Sequence, residues 1–316
     1  MFRYVIATGI ACFIVFAVVS QIGAADETLK RKVDSLFVIA SSGEVRFRDM
    51  VEPAMDSIAA IGEEAAPILI DKFTTKSARE RWTIIRTLQR IGSPAVPYLV
   101  RALNRPNGLV VQRVCWALGD IGDTAAVMPL IGVIDHLRWQ VREQAAGALG
   151  KIGDLRGSEA ATSALNDPIG QVRKAAAVSC GKLNVNNAIE KLANRLSDEF
   201  YGARLAAAEA LLKLDTGQVI DVLSGLFPAL DRQAGNLACE VLGEIGTDQA
   251  IEILLAQTDS PDPERRAHAA VAIIKADPEN NCGYHDRLLG QESDRLVRLK
   301  VESALASVRQ RLFHKQ

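Results

Sequence analysis

The chain has 316 residues, 48% of them hydrophobic and only 5% aromatic, with 37 basic against 38 acidic side chains and a formal net charge of −1. A near-neutral balance argues against nucleic acid as a partner, and five cysteines without a CxxC or other ligand spacing argue against a metal site. Small aliphatic side chains dominate, which lets helices approach closely without a large central core.

In chain order, Arg3, an apolar run from Tyr4 to Ile22 and the small residues Gly23-Ala24-Ala25 have the three parts of a secretory signal. The run also approaches the ~20 residues that span a bilayer, so residues 1–25 read either as a signal peptide or as an N-terminal membrane anchor. Both readings expect an exported protein, periplasmic or elsewhere in the cell envelope, with residues 4–22 as its anchor if the segment is kept. Lys30, Arg31 and Lys32 lie just beyond the run and outnumber Arg3, which weighs against an outward orientation.

From residue 26 onward one pattern returns about every 31 residues. Glu27 to Ala40 and Phe47 to Ile61 predict a worn first unit of two helices. The pattern is clearest in VREQAAGALGKIGD, Val141 to Asp154, where Val141, Ala145, Leu149 and Ile152 share one helix side. Arg173, Arg204 and Arg266 follow Arg142 by 31, 62 and 124 residues. Gly62, Gly92, Gly122, Gly153 and Gly246 mark the left-handed helix stop, with Asn184, Asp215 and Asp277 in the remaining slots. A second apolar run follows each stop and predicts a second helix, so each unit is an antiparallel pair that needs its neighbours to bury the rest of its surface. Asp277 to Gly290 is the least regular stretch and predicts a longer loop.

These motifs, together with ALGDIGDTAAVMPLI (Ala117 to Ile131) and VLGEIGTDQAIEILL (Val241 to Leu255), resemble the HEAT repeat, in the HEAT-like variety of phycobilisome lyases. The resemblance implies an all-α fold: a right-handed α-solenoid of about nine stacked antiparallel helix pairs over residues 26–316. It also implies a buried ladder of arginine and aspartate, with Asp167 beside Arg173 and Asp198 beside Arg204, and with Arg142 and Arg266 in the same slot. Val51, Val111 and Gly235 occupy the arginine slot in three units, and there the ladder is expected to break.

No GxSxG, Walker, GxGxxG or HExxH motif occurs, and the four histidines share no ligand spacing. His-Glu pairs, on which the iron-dependent hydroxylases that resemble HEAT arrays depend, are missing as well. Cys115, Cys180 and Cys239 fall in apolar helix slots and are expected to be free buried thiols. The expectation is therefore a protein without enzymatic activity, cofactor or metal.

What remains is surface. Between Lys72 and Gly119 nine basic residues face one acid, Glu80, whereas Cys239 to Glu279 carries nine acids and three bases. Trp82, Arg86, Arg90, Arg113 and Trp116 are the expected anchors for a partner, and Lys151, Lys182 and Lys213 align in successive units as further contacts. A scaffold gripping a protein on the concave face fits this pattern, the partner being an acidic protein or, for an anchored chain, an anionic membrane surface. Two alternatives stand beside it: an accessory lyase or chaperone for a bilin-like chromophore, which only the resemblance implies, and a self-assembling structural protein.

Overall fold

A computed structural model describes residues 26–280 and 283–313; the expectations for residues 1–25 lie outside them. The chain divides into two compact units, Met1–Pro129 and Leu130–Gln316. All regular structure among the described residues is helical.

In the first unit the α-helices are α1 (26–40), α2 (Val51–Ala59), α3 (Ala65–Asp71), α4 (Ala78–Ile91), α5 (Val96–Ala102), α6 (Gly108–Ile121) and α7 (Val127–Ile131), the last crossing the division. The second unit continues with α8 (Trp139–Ile152), α9 (Ser158–Ala164), α10 (Gly170–Lys182), α11 (Ile189–Asn194), α12 (Tyr201–Leu211) and α13 (Thr216–Leu226). It ends with α14 (Arg232–Ile245), α15 (Asp248–Gln257), α16 (Pro263–Ala276), α17 (Tyr284–Gln291) and α18 (Arg295–Phe313). From α3 on, every even-numbered helix is longer than the one before it, so the repeat is a short helix followed by a long one carrying the arginine slot.

The local code explains these boundaries. Ser77, Asn107, Asp231, Thr247 and Asp262 each accept a hydrogen bond from an orphan amide at the start of the helix that follows. Gly92, Gly122, Gly153 and Gly246 close long helices at φ between +65° and +79°. Asn184 takes the same left-handed form at φ +58°, but Asp215 does not; with φ −56° it instead caps α13. The longer loop expected up to Gly290 is also corrected, since α17 occupies the second half of that stretch.

Within each unit long helices stack on long helices: α2, α4 and α6 in the first, and α8, α10 and α12, then α14, α16 and α18, in the second. Most of the predicted apolar stripe is core, with Val141, Ala145, Leu149, Val172, Ala176 and Cys180 all at 0% exposure, while Ile152 at the helix end is half-buried. Full burial of one such leucine or valine contributes roughly 1.5–3 kcal/mol.

One slot of the repeat sets how closely the long helices approach. A Cβ on Gly150 would lie 2.6 Å from Ser179 Cα, one on Gly181 2.9 Å from Ala210 Cα, and one on Gly243 2.7 Å from Ala272 Cβ. Thirty-one residues after Gly181 the slot holds Leu212, 43% exposed, and the α12–α14 seam it adjoins is the loosest of the long-helix contacts in this unit. A side chain there forbids the close backbone approach that glycine permits.

Candidate partner-binding surfaces

The ladder must be placed before any surface, because it decides which charges are spent inside the fold. Arg142 donates from Nε and Nη2 to the two carboxylate oxygens of Asp167, at 2.6 and 2.9 Å, and from Nη1 to the main-chain carbonyl of His136 at 2.9 Å. Arg173 repeats this on Asp198, at 2.6 and 2.6 Å, and on the carbonyl of Asp167 at 2.8 Å. Each carboxylate also accepts a turn amide, from Ile169 and Phe200 respectively. A rung therefore ties an arginine to the carboxylate of the following repeat. The expected in-unit pairs, Asp167 with Arg173 and Asp198 with Arg204, meet only through the aspartate's main-chain carbonyl.

Burial pushes the Asp198 carboxyl up, but the Arg173 guanidinium and the Phe200 amide outweigh it and hold the group below the usual aspartate range. Arg266 forms the same bidentate rung, at 2.8 and 3.1 Å, with a residue the sequence reading missed, Glu292. Hydrogen bonding from Arg266 holds that carboxyl low as well. Arg204 meets no carboxylate among the described residues; its guanidinium lies 5.3 Å from the ring centroid of the exposed Tyr201.

Two of the seams expected to break, those at Val51 and Gly235, are held by Arg79 and Arg265 reaching backward, and Arg113 reaches back in the same way to the turn one repeat before Val111. Arg113 is 5% exposed and donates to the carbonyls of Phe73 and Thr75. Arg265 donates to the carbonyls of Leu230 and Asp231 at 2.9 and 3.0 Å, its guanidinium filling the space a Cβ on Gly235 would need. Arg79 donates to the Ser42 carbonyl at 3.0 Å.

This reassigns most of the expected basic surface in the first unit. Arg113 is a buried structural cation and not a partner-facing anchor. Arg90 is spent on Glu52 and Asp56, Lys72 on Asp34 at 2.5 Å, and Arg105 on Asp71 at 2.8 Å. Trp116 is half-buried. Trp82 is 45% exposed and the exposed Arg86 guanidinium stands 5.0 Å from its ring centroid, so these two remain as an aromatic–cation pair on the long-helix face.

In the second unit Lys151, Lys182 and Lys213 are all exposed, at the ends of α8, α10 and α12. Lys151 and Lys182 lie in the last helical turn, where a cation offsets the dipole. The same unit carries an open groove of about 900 Å³ between α16 and α18, lined by residues such as Val271 and Leu299, with Glu264, Asp294 and Lys275 on its margin. Sequence reading passed over it because α18 follows the irregular stretch. The signal was present in Leu296 and Leu299, 72% and 50% exposed on an otherwise polar helix face.

The model for HEAT repeats matches residues 96–167, 158–234 and 189–274, together more than half of the chain. The chain belongs to the HEAT-repeat family. The chain is similar, at 19% identity in each case, to an engineered protein (TM-score 0.43, 88% of each chain covered), to the complex of CpcE and CpcF of phycocyanin lyase from Nostoc sp. PCC7120 (0.40; 77% of this chain and 94% of that one), and to human deoxyhypusine hydroxylase in complex with glycerol (0.36; 80% and 98%). No curated protein matches the chain.

Among the described residues no group of three or more His, Cys, Asp or Glu side chains is placed to hold a metal ion. Cys115, Cys180 and Cys239 are free and buried, and burial pushes their thiols up to about 12, 11 and 12. Groups so protonated at neutral pH supply no nucleophile. No helix among the described residues is long and apolar enough to cross a membrane.

Proposed function

We propose that this HEAT-repeat protein is a non-enzymatic scaffold that holds an acidic segment of a partner protein on the long-helix face of its first unit. The observation that carries the reading is the Trp82–Arg86 pair, an exposed ring with a guanidinium over it. It lies in a stretch whose one acid, Glu80, is already bonded to Thr75. Trp and Arg are the side chains that most often dominate protein–protein contacts. Residues 1–25 are proposed to deliver the chain to the cell envelope, by cleavage or as an anchor; N-terminal sequencing of the protein recovered from envelope fractions distinguishes the two.

The test is a pull-down with the full chain beside the double variant Trp82→Ala, Arg86→Glu. A partner retained by the wild type and lost by a variant of unchanged helicity supports the reading. The same proteins retained by both baits, or none by either, sinks it. Titration with a bilin separates the scaffold from the chromophore-chaperone alternative: a saturable change in the visible spectrum would put the alternative in its place.

A further inference from the structure

The α16–α18 groove is separate from the Trp82–Arg86 face and does not depend on it. Both walls are long helices of successive repeats, which run parallel, and the space between two such ridges accepts one further helix about 10 Å across. The 14 residues of α16 make a trough about 21 Å long. Val271 and Leu299 are among its apolar lining residues, and Leu296, which also lines it, is 72% exposed.

The charges on its margin are ordered. Glu264 stands in the first turn of α16, and Asp294 accepts hydrogen bonds from the Leu296 and Val297 amides at the start of α18, so acid gathers where both helices begin. Lys275 lies in the last turn of α16, at the opposite end, and Lys300 lies between. On the side toward α14, Glu240 and His268 satisfy each other at 3.3 Å.

We propose that this groove receives one amphipathic helix of a partner protein, its apolar stripe on Val271 and Leu299, its basic C-terminal end at Glu264 and Asp294, and its acidic N-terminal end at Lys275. In that direction the incoming helix lies antiparallel to both walls, and side-chain charges and helix dipoles are complementary together. The reverse direction sets like charges against one another at both ends.

The probe is a labelled synthetic peptide of about 16 residues, with leucines at helical spacing, glutamates in its first turn and lysines in its last. The control exchanges the two sets of charges. In fluorescence anisotropy with the full chain, the first peptide is expected to bind at least about tenfold more tightly than the control. Val271→Asp and Leu299→Asp, both at accessible positions, should each weaken it about tenfold with helicity unchanged. Glu264→Lys should narrow the gap between the two peptides. Equal affinity for both, binding indifferent to Val271→Asp, or no binding of either peptide overturns the proposal. A dimer of the full chain that Val271→Asp dissolves would assign the groove to a second copy and overturn it as well.

Discussion

In the second unit Arg142, Arg173 and Arg266 tie the arginine-slot turns of successive repeats to a carboxylate, whereas the matching turns of the first unit are tied to the backbone, its ion pairs between repeats, such as Arg90 with Glu52 and Arg105 with Asp71, being made by other side chains. Arg142 and Arg173 reach forward to Asp167 and Asp198 with two nitrogens each; Arg79 and Arg113 reach backward to main-chain carbonyls, and no carboxylate closes the contact. The cause is one position, six residues before the arginine slot of the receiving repeat. It holds Asp167, Asp198 and Glu292 where forward rungs form. For Arg81 that position holds Arg105, which offers no acceptor and pairs instead with Asp71 at 2.8 Å. Arg113 then supplies the bond to the Thr75 carbonyl that Arg81, by its place in the repeat, would have made. Arg265 shows the same substitution in the second unit, where Gly235 leaves the slot empty. A repeat can thus lose its arginine, or its acid, and keep its seam, provided some guanidinium reaches the turn carbonyls.

The comparison breaks most sharply at Asp198. Its side chain is fully buried and that of Arg173 is 6% exposed, so Asp198→Ala strands a buried cation and should cost about 3–5 kcal/mol in urea unfolding. The folded Asp198 carboxyl titrates below its unfolded value near 3.9, so the rung's contribution is fully present above about pH 4 and is lost as the pH falls through the folded value. The stability gap between wild type and variant should therefore shrink on acidification below that point. A gap that stays constant down to pH 2 would mean that packing, not charge, holds this seam.

Much of this was legible in the sequence. The 31-residue period, the glycine stops and the apolar slots place nearly every helix, because each is a local requirement met inside one repeat. The rungs were half legible: arginine and aspartate stood in their slots, but their pairing is a relation between repeats, and only the stacked helices show that Arg173 faces Asp198. Glu292 was missed because its side chain is one methylene longer than the motif residue, though it performs the same chemistry. Arg113 was misread for a related reason: two residues beyond an empty slot, it looked surplus and therefore exposed, while the unpaired carbonyls of Phe73 and Thr75 that bury it are invisible in a side-chain pattern.

A second difference between the regions is helix spacing. Gly150 is pressed against the Ser179 backbone, whereas the matching slot of α4 holds an exposed Gln89 whose amide donates to the Asp120 carbonyl at 3.2 Å. Gly150→Val should force α8 from α10 and cost about 3 kcal/mol, at the upper end for an overpacked site, because the obstacle is backbone that cannot swing aside. Gln89→Ala should cost within about 0.5 kcal/mol. Equal losses in urea unfolding would show that the close approach of α8 and α10 is not what stabilises that seam.

The smallest of the larger effects belongs to Arg113→Met. The substitution removes the guanidinium and leaves two carbonyls short of a donor, yet it strands no opposite charge, so the expected loss is about 1–3 kcal/mol, below that of Asp198→Ala. Burial and the neighbouring Arg81 lower the Arg113 pKa, but a guanidinium remains a cation throughout the acid range, and the carbonyls it serves do not titrate. The loss should accordingly be the same at pH 3 and pH 7, where that of Asp198→Ala is not. An Arg113→Met defect that faded on acidification like the Asp198 one would mean that a carboxylate takes part in the Arg113 contact, and the distinction between backbone-tied and charge-tied turns would fall.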